Sequence, residues 1–212
     1  MERISKMWLD MIPKLDNIVV DDSIGFVGDS ALANVIVSPY AYNTQICINE
    51  VNFIRMAFLF DGIFIGSESV LEVGAGYGNY CKVFCEEIDT IDYTIIDIKS
   101  MLRLSKQYLK VKDVECNFVD VEDCESVFDK RYSLLISNVC LSEMPEEFVI
   151  YLLNNILPIC DKFTIIDTDH GSFYTNIVPL LDKYFHLKTV SCKQCEQFNH
   201  NLYFGSRKRD IL

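Results

Sequence analysis

A chain of 212 residues, half of them apolar or cysteine, is long enough to bury a substantial core within one domain. Its 31 acidic against 19 basic residues leave a net charge of −12, which disfavours nucleic acid as a partner, because phosphate backbones are held chiefly by Lys and Arg. The dense basic run Arg207-Lys208-Arg209 reads as a solvated tail. Nine scattered cysteines argue against a disulfide framework and for buried thiols in a reducing compartment. With neither a signal-peptide apolar region nor the ~20 apolar residues that span a bilayer, the expectation is a cytoplasmic protein without membrane insertion.

In chain order, Ile4, Met7, Trp8, Met11, Ile12 and Leu15 recur at helical spacing. Residues 21–44 read as loop, punctuated by Gly25, Gly28, Ser38 and Pro39. A second amphipathic helix is predicted from about Gln45 to Phe60, with Val51, Ile54 and Phe58 on one face. Residues 1–66 are thus expected to form a helical cap, either a lid over a ligand or simple packing on the body. Tyr40 and Tyr42 are the side chains there that could reach a substrate. Over residues 67–212, strands are predicted at 70–74, 93–98, 115–120, 133–139 and 163–167, with helices between them. A helix at 174–184 and a hairpin of strands at 187–192 and 201–207 follow. Alternating βα units predict an α/β, Rossmann-like and mostly parallel sheet, to which the hairpin adds an antiparallel strand.

The chemistry-bearing segment is Val70-Leu71-Glu72-Val73-Gly74-Ala75-Gly76-Tyr77-Gly78. It reads as an apolar strand, an acid, and a glycine turn opening a helix. Such a turn at the carboxyl end of a parallel strand is where α/β sheets bind ligands. A dinucleotide site spaces its glycines G-x-G-x-x-G; here the spacing is G-x-G-x-G and position 79 is Asn. Glu72 would repel a pyrophosphate and attract the ammonium group of S-adenosylmethionine (SAM). The next strand ends in Asp97, 19 residues after Gly78, where a carboxylate can accept from ribose hydroxyls. The third ends in Asp120, followed by Val121, a candidate for adenine, and the fourth in Ser137-Asn138. This series resembles class I SAM-dependent methyltransferases over residues 67–212. The resemblance implies SAM as cofactor, held by Glu72, Gly74, Gly76, Tyr77, Gly78, Asp97, Asp120, Val121, Ser137 and Asn138. Strand-end acids also occur as plain solvated turn residues.

Methyl transfer to a hydroxyl needs an aligned acceptor and a base for its proton. His170 is the best-placed candidate base, and Glu143 the second. A loop histidine and a helix-start carboxylate are the structural alternatives. Asp169, His200 and Asn201 fall where they could face an acceptor. Asp167, Asp169, Glu143 and His170 could together hold Mg²⁺, but no spacing demands a metal and none is expected. Cys192-Lys193-Gln194-Cys195 is a lone C-x-x-C, a weak zinc signal.

Three segments carry a closer resemblance: Glu72 to Gly78, Tyr93-Thr94-Ile95-Ile96-Asp97, and Ser137-Asn138-Val139-Cys140-Leu141-Ser142-Glu143. Together they are similar to a bacterial sugar O-methyltransferase family. That similarity implies a saccharide, sugar nucleotide or glycan precursor as acceptor, with Ser137, Asn138 and Glu143 at the active-site edge. A methyltransferase of a non-sugar small molecule, a dinucleotide oxidoreductase and a non-catalytic SAM-fold module are the rivals. A homodimer stays open.

Overall fold

A computed structural model describes residues 18–21, 26–29, 34–37, 47, 51–52, 68–87, 91–168, 176–191 and 200–208. Three short strands, β1 (Ile18–Asp21), β2 (Phe26–Asp29) and β3 (Asn34–Val37), pair antiparallel in that order. The stretch read as loop therefore carries a small sheet, and the part before residue 67 is not wholly helical. Its runs Ile18-Val19-Val20 and Val35-Ile36-Val37 are rich in β-branched residues, which fit a pleated surface. The expected helix at 4–15 lies outside the described residues. Within the expected second helix, Cys47, Val51 and Asn52 are helical.

The body is one seven-stranded sheet ordered β6-β5-β4-β7-β8-β10-β9. Its strands are β4 (Glu68–Val73), β5 (Ile91–Asp97), β6 (Asn117–Asp120), β7 (Tyr132–Asn138), β8 (Cys160–Thr168), β9 (Phe185–Ser191) and β10 (His200–Arg207). The five strands from β6 to β8 are mutually parallel; β10 runs antiparallel to both β8 and β9. The helices are α1 (Asn79–Glu87), α2 (Lys99–Val111), α3 (Glu146–Ile156) and α4 (Val178–Tyr184), with a 3-10 helix at Val121–Val127 and a shorter one at Leu141–Glu143.

Side chains alternate across each strand, so each sheet face collects its own core. Val70, Tyr93, Ile95, Leu134 and Ile136 pack with Val83 and Phe84 of α1 and Leu104 and Tyr108 of α2. Cys47 and Val51 are fully buried in that same cluster, so these two residues pack on the α1 and α2 face of the sheet. Leu71, Val73, Ile96, Leu135 and Phe163 pack on the other face with Leu152 and Ile156 of α3 and Leu181 of α4. The strand order reverses between β4 and β7, and α/β folds bind ligands at the carboxyl ends of strands beside such a point.

Candidate active site

At this switch point the backbone is locked from several sides. Ser137 Oγ donates to the Val73 carbonyl at 2.9 Å, joining the ends of β7 and β4. The Gly74 amide donates to Ile96 O at 2.9 Å, and the Val139 amide to Ile166 O at 2.6 Å. All three turn glycines have positive φ: 80° at Gly74, 58° at Gly76 and 95° at Gly78. A Cβ on Gly74 would lie 2.1 Å from Cys140 Sγ, and one on Gly78 would press on Leu109 and Ser105. A Cβ on Gly76 would meet nothing within 4 Å. Packing therefore requires glycine at position 74, a Cβ at position 78 would need Leu109 and Ser105 to give way by a few tenths of an ångström, and the space over Gly76 is open.

Two carboxylates flank the turn. Glu72 points to the α1 face, is 2% exposed, and accepts a 2.9 Å hydrogen bond from Tyr93 Oη. Burial drives its pKa up to about 8; the Tyr93 bond opposes this and the charge of Asp97 adds to it. Asp97 is 8% exposed and accepts from the Gly76 amide at 3.1 Å and the Ile98 amide at 2.7 Å. Burial raises its pKa to about 7, against the pull of the Ile98, Gly76 and Ala75 amides. Glu72 and Asp97 are thus near-neutral titrating groups joined to the glycine turn, an arrangement typical of functional sites.

The remaining expected site residues sort as follows. Asp120 is level with Asp97 in the β5–β6 register, and its Oδ1 accepts from the Glu122 amide at 3.2 Å, capping the 3-10 helix that Val121 opens. Tyr77 is buried, with its ring edge-on to Tyr108 at 5.0 Å. Asn138 ends β7, and its buried Nδ2 has no hydrogen-bond partner among the described residues. Glu143 is exposed on the 3-10 helix after β7. His200 and Asn201 open β10, paired with Thr168 and Asp167, which brings them to the edge where β8 ends. Tyr40, Asp169, His170, Cys192 and Cys195 lie outside the described residues. Among the described residues no group of His, Cys, Asp and Glu has metal-binding geometry.

Three pairings are not legible in the sequence, although Asp167 itself stands there as a possible Mg²⁺ ligand. Tyr93 anchors Glu72. Cys140 fills the hollow beneath Gly74, and its thiol pKa is pushed well up by burial and then by the charges of Asp97, Asp167, Glu143 and Glu72. Asp167, fully buried, accepts from the Ser142 amide at 3.1 Å and so holds the segment after β7. A small residue facing an obligatory glycine could have signalled Cys140; the other two pairings join distant strands.

No protein-family profile matches the sequence, and no curated protein matches it. Solved structures do match in fold. An O-methyltransferase family protein from Burkholderia thailandensis superposes with a TM-score of 0.56 at 12% identity, over 79% of this chain. The chain spans 59% of the length of that protein. A magnesium protoporphyrin IX methyltransferase from Synechocystis, solved with SAM bound, gives 0.58 at 14% identity, covering 76% of this chain and 79% of its own. A rRNA methylase from Streptococcus thermophilus gives 0.57 at 13% identity, covering 74% and 96%. The fold is therefore the Rossmann-like fold of class I methyltransferases, with its mostly parallel sheet and antiparallel inserted strand.

Proposed function

We propose that this chain is a SAM-dependent methyltransferase acting on a hydroxyl of a saccharide. The observation that carries the reading is the coupled set Glu72, glycine turn and Asp97 at the switch point, closed by the bond from the Gly76 amide to Asp97. These residues suit the cofactor. The space over Gly76 admits a ligand against bare backbone. Glu72 offers a carboxylate to an ammonium group, Asp97 offers oxygens to ribose hydroxyls, and Asn138 Nδ2 offers an unused donor. Asp120 and Val121 would border the adenine. SAM supplies an electrophilic methyl group when bound; the chain's part is to orient the acceptor and take its proton.

Glu143, exposed just past β7, and His170 are the candidate bases. Tyr40, Asp169, His200 and Asn201 would contact the acceptor. The resemblance in Ser137 to Glu143 supports a sugar.

Calorimetric titration with SAM, S-adenosylhomocysteine and NAD tests the cofactor, with Asp97→Ala as control. Binding of the first two, weakened in Asp97→Ala, is expected; binding of NAD alone overturns the reading. Methyl transfer is then assayed on neutral saccharides, sugar nucleotides and non-sugar alcohols. Turnover confined to the last group would refute the sugar acceptor and leave the cofactor assignment intact.

A further inference from the structure

The first residue of α1, Asn79, directly follows the last glycine of the turn and is 3% exposed. Both ends of its side-chain amide are engaged. Its Oδ1 accepts from Tyr108 Oη on α2 at 2.9 Å, and its Nδ2 donates to Cys47 Sγ at 3.8 Å. The first bond reaches the helix that packs on the turn. The second reaches back 32 positions, to a residue that precedes the whole sheet. Only an amide of this size does both. Aspartate could accept from Tyr108 but would have no proton to give the sulfur when ionised, and leucine could do neither.

The turn and α2 meet along one line of contacts. The Tyr77 ring is edge-on to Tyr108, and a Cβ on Gly78 would come within 3.2 Å of Leu109. Asn79 adds the contact to Cys47, which together with Val51 is fully buried in the core on this face. The glycines before it hold left-handed backbone, with φ of 58° at Gly76 and 95° at Gly78. Glycine has the widest choice of backbone states, so a turn of this kind is entropically unfavourable to order. A ligand binds more tightly to a turn that already has its shape. Bonds that fix residue 79 at the exit of the turn therefore bear on the affinity of whatever the turn holds.

We propose that Asn79 is a positioning residue that couples the packing of Cys47 and Val51 to cofactor binding at the glycine turn, a coupling that rests on the SAM reading given above. Asn79 does not touch the reacting atoms; it acts through the turn that it closes. Coupling between two sites is reciprocal. A cofactor seated on the turn steadies Asn79 and, through Nδ2, the Cys47 thiol. Loss of the Cys47 contact loosens the exit of the turn and weakens the cofactor.

The test has two arms, both on the full chain with S-adenosylhomocysteine as probe. In the unaltered protein the probe should slow hydrogen exchange at the Cys47 and Val51 amides relative to those of α3, on the other face of the sheet. By calorimetry, Cys47→Ala should bind the probe roughly two- to tenfold more weakly, the range that one hydrogen bond supplies. Asn79→Ala, which also loses the Tyr108 bond, should bind more weakly still. Adding Cys47→Ala to Asn79→Ala should then change affinity by no more than about twofold, because the contact is already gone. An Asn79 that merely supports the fold would lower the melting temperature and leave affinity unchanged. That result, fully additive losses in the double variant, or equal slowing at Cys47 and in α3 would overturn the coupling and leave the cofactor assignment intact. No binding to the unaltered protein would overturn both. Because the exchange arm needs no substitution, a variant that fails to fold does not blunt the test.

Discussion

The sulfur of Cys140 occupies the place where a side chain on Gly74 would have to stand, 2.1 Å from the Cβ that any other residue would carry there. Because Gly74 belongs to the glycine turn and Cys140 to the segment after β7, this contact locks the end of β4 to the segment that follows β7.

Gly74→Ala should therefore cost stability first. A left-handed φ adds about 1–2 kcal/mol for an L-residue, and the clash adds to it. An unfolding free energy from urea titration lowered by at least about 2 kcal/mol is expected. The double variant with Cys140→Ala should recover only part of the loss, since the Cys140 Cβ itself lies 2.5 Å from the new atom.

Gly76→Ala makes the opposite split. With nothing within 4 Å of the added Cβ, only the φ strain remains, so the loss of stability should stay near 1 kcal/mol. The methyl projects into the proposed cofactor space, so affinity for S-adenosylhomocysteine should fall at least tenfold in the same protein by calorimetry. Equal affinity would place the cofactor elsewhere.

Glu72 gives a pH signature. Its carboxyl titrates at about 8 in the fold against 4.5 for an ordinary glutamate, so the folded chain keeps a proton that the unfolded chain has lost. Stability from this group is complete below the lower value and declines as pH rises toward the upper one. Asp97, raised to about 7, has the same sign. Glu72→Gln keeps the shape without the charge, so its melting temperature should exceed the parent's by several degrees at pH 8.5 and match it near pH 4.5. A parallel shift at both pH values would refute the assignment.

Cation binding beside the same carboxyl should expel its proton. Between pH 6 and pH 8 the apparent enthalpy of SAM binding should vary with the ionisation enthalpy of the buffer, with net proton release. Glu72→Gln should bind more weakly and release fewer protons.

Asp167 is expected to act through the segment it holds. Asp167→Ala frees the Ser142 amide, whose hydrogen exchange should quicken relative to the β8 amides. Asp167→Asn, which keeps an acceptor oxygen, should exchange more slowly than the alanine variant.

The contrast between legible and hidden features follows the range of the interactions. Each strand from β4 to β10 announced itself, because apolar runs ended in turn residues and alternated with helical patterns. The acids and glycines were legible because they recur at strand ends. The three-stranded sheet at β1 to β3 was not: Gly25, Gly28 and Ser38-Pro39 interrupt runs too short to declare themselves, and pairing alone makes them strands. The bonds Tyr93–Glu72, Ser142–Asp167 and Ser137–Val73 join residues 21, 25 and 64 positions apart, and no local pattern encodes such pairings.

Among the described residues β9 pairs only with β10, although β10 comes later in the chain. During synthesis, residues 185–191 leave the ribosome with no neighbour to bond and must wait for residues 200–207. Until then the flank of β8 also stays bare. When β10 slides between them, Arg207 Nε reaches the Cys160 carbonyl at 3.0 Å and Arg207 also bonds Leu157 O, clasping the start of β8. The sheet is thus completed from the middle of one side by its last segment. A chain cut short before residue 200 would expose two adhesive edges at once, the state in which nascent proteins most need chaperones.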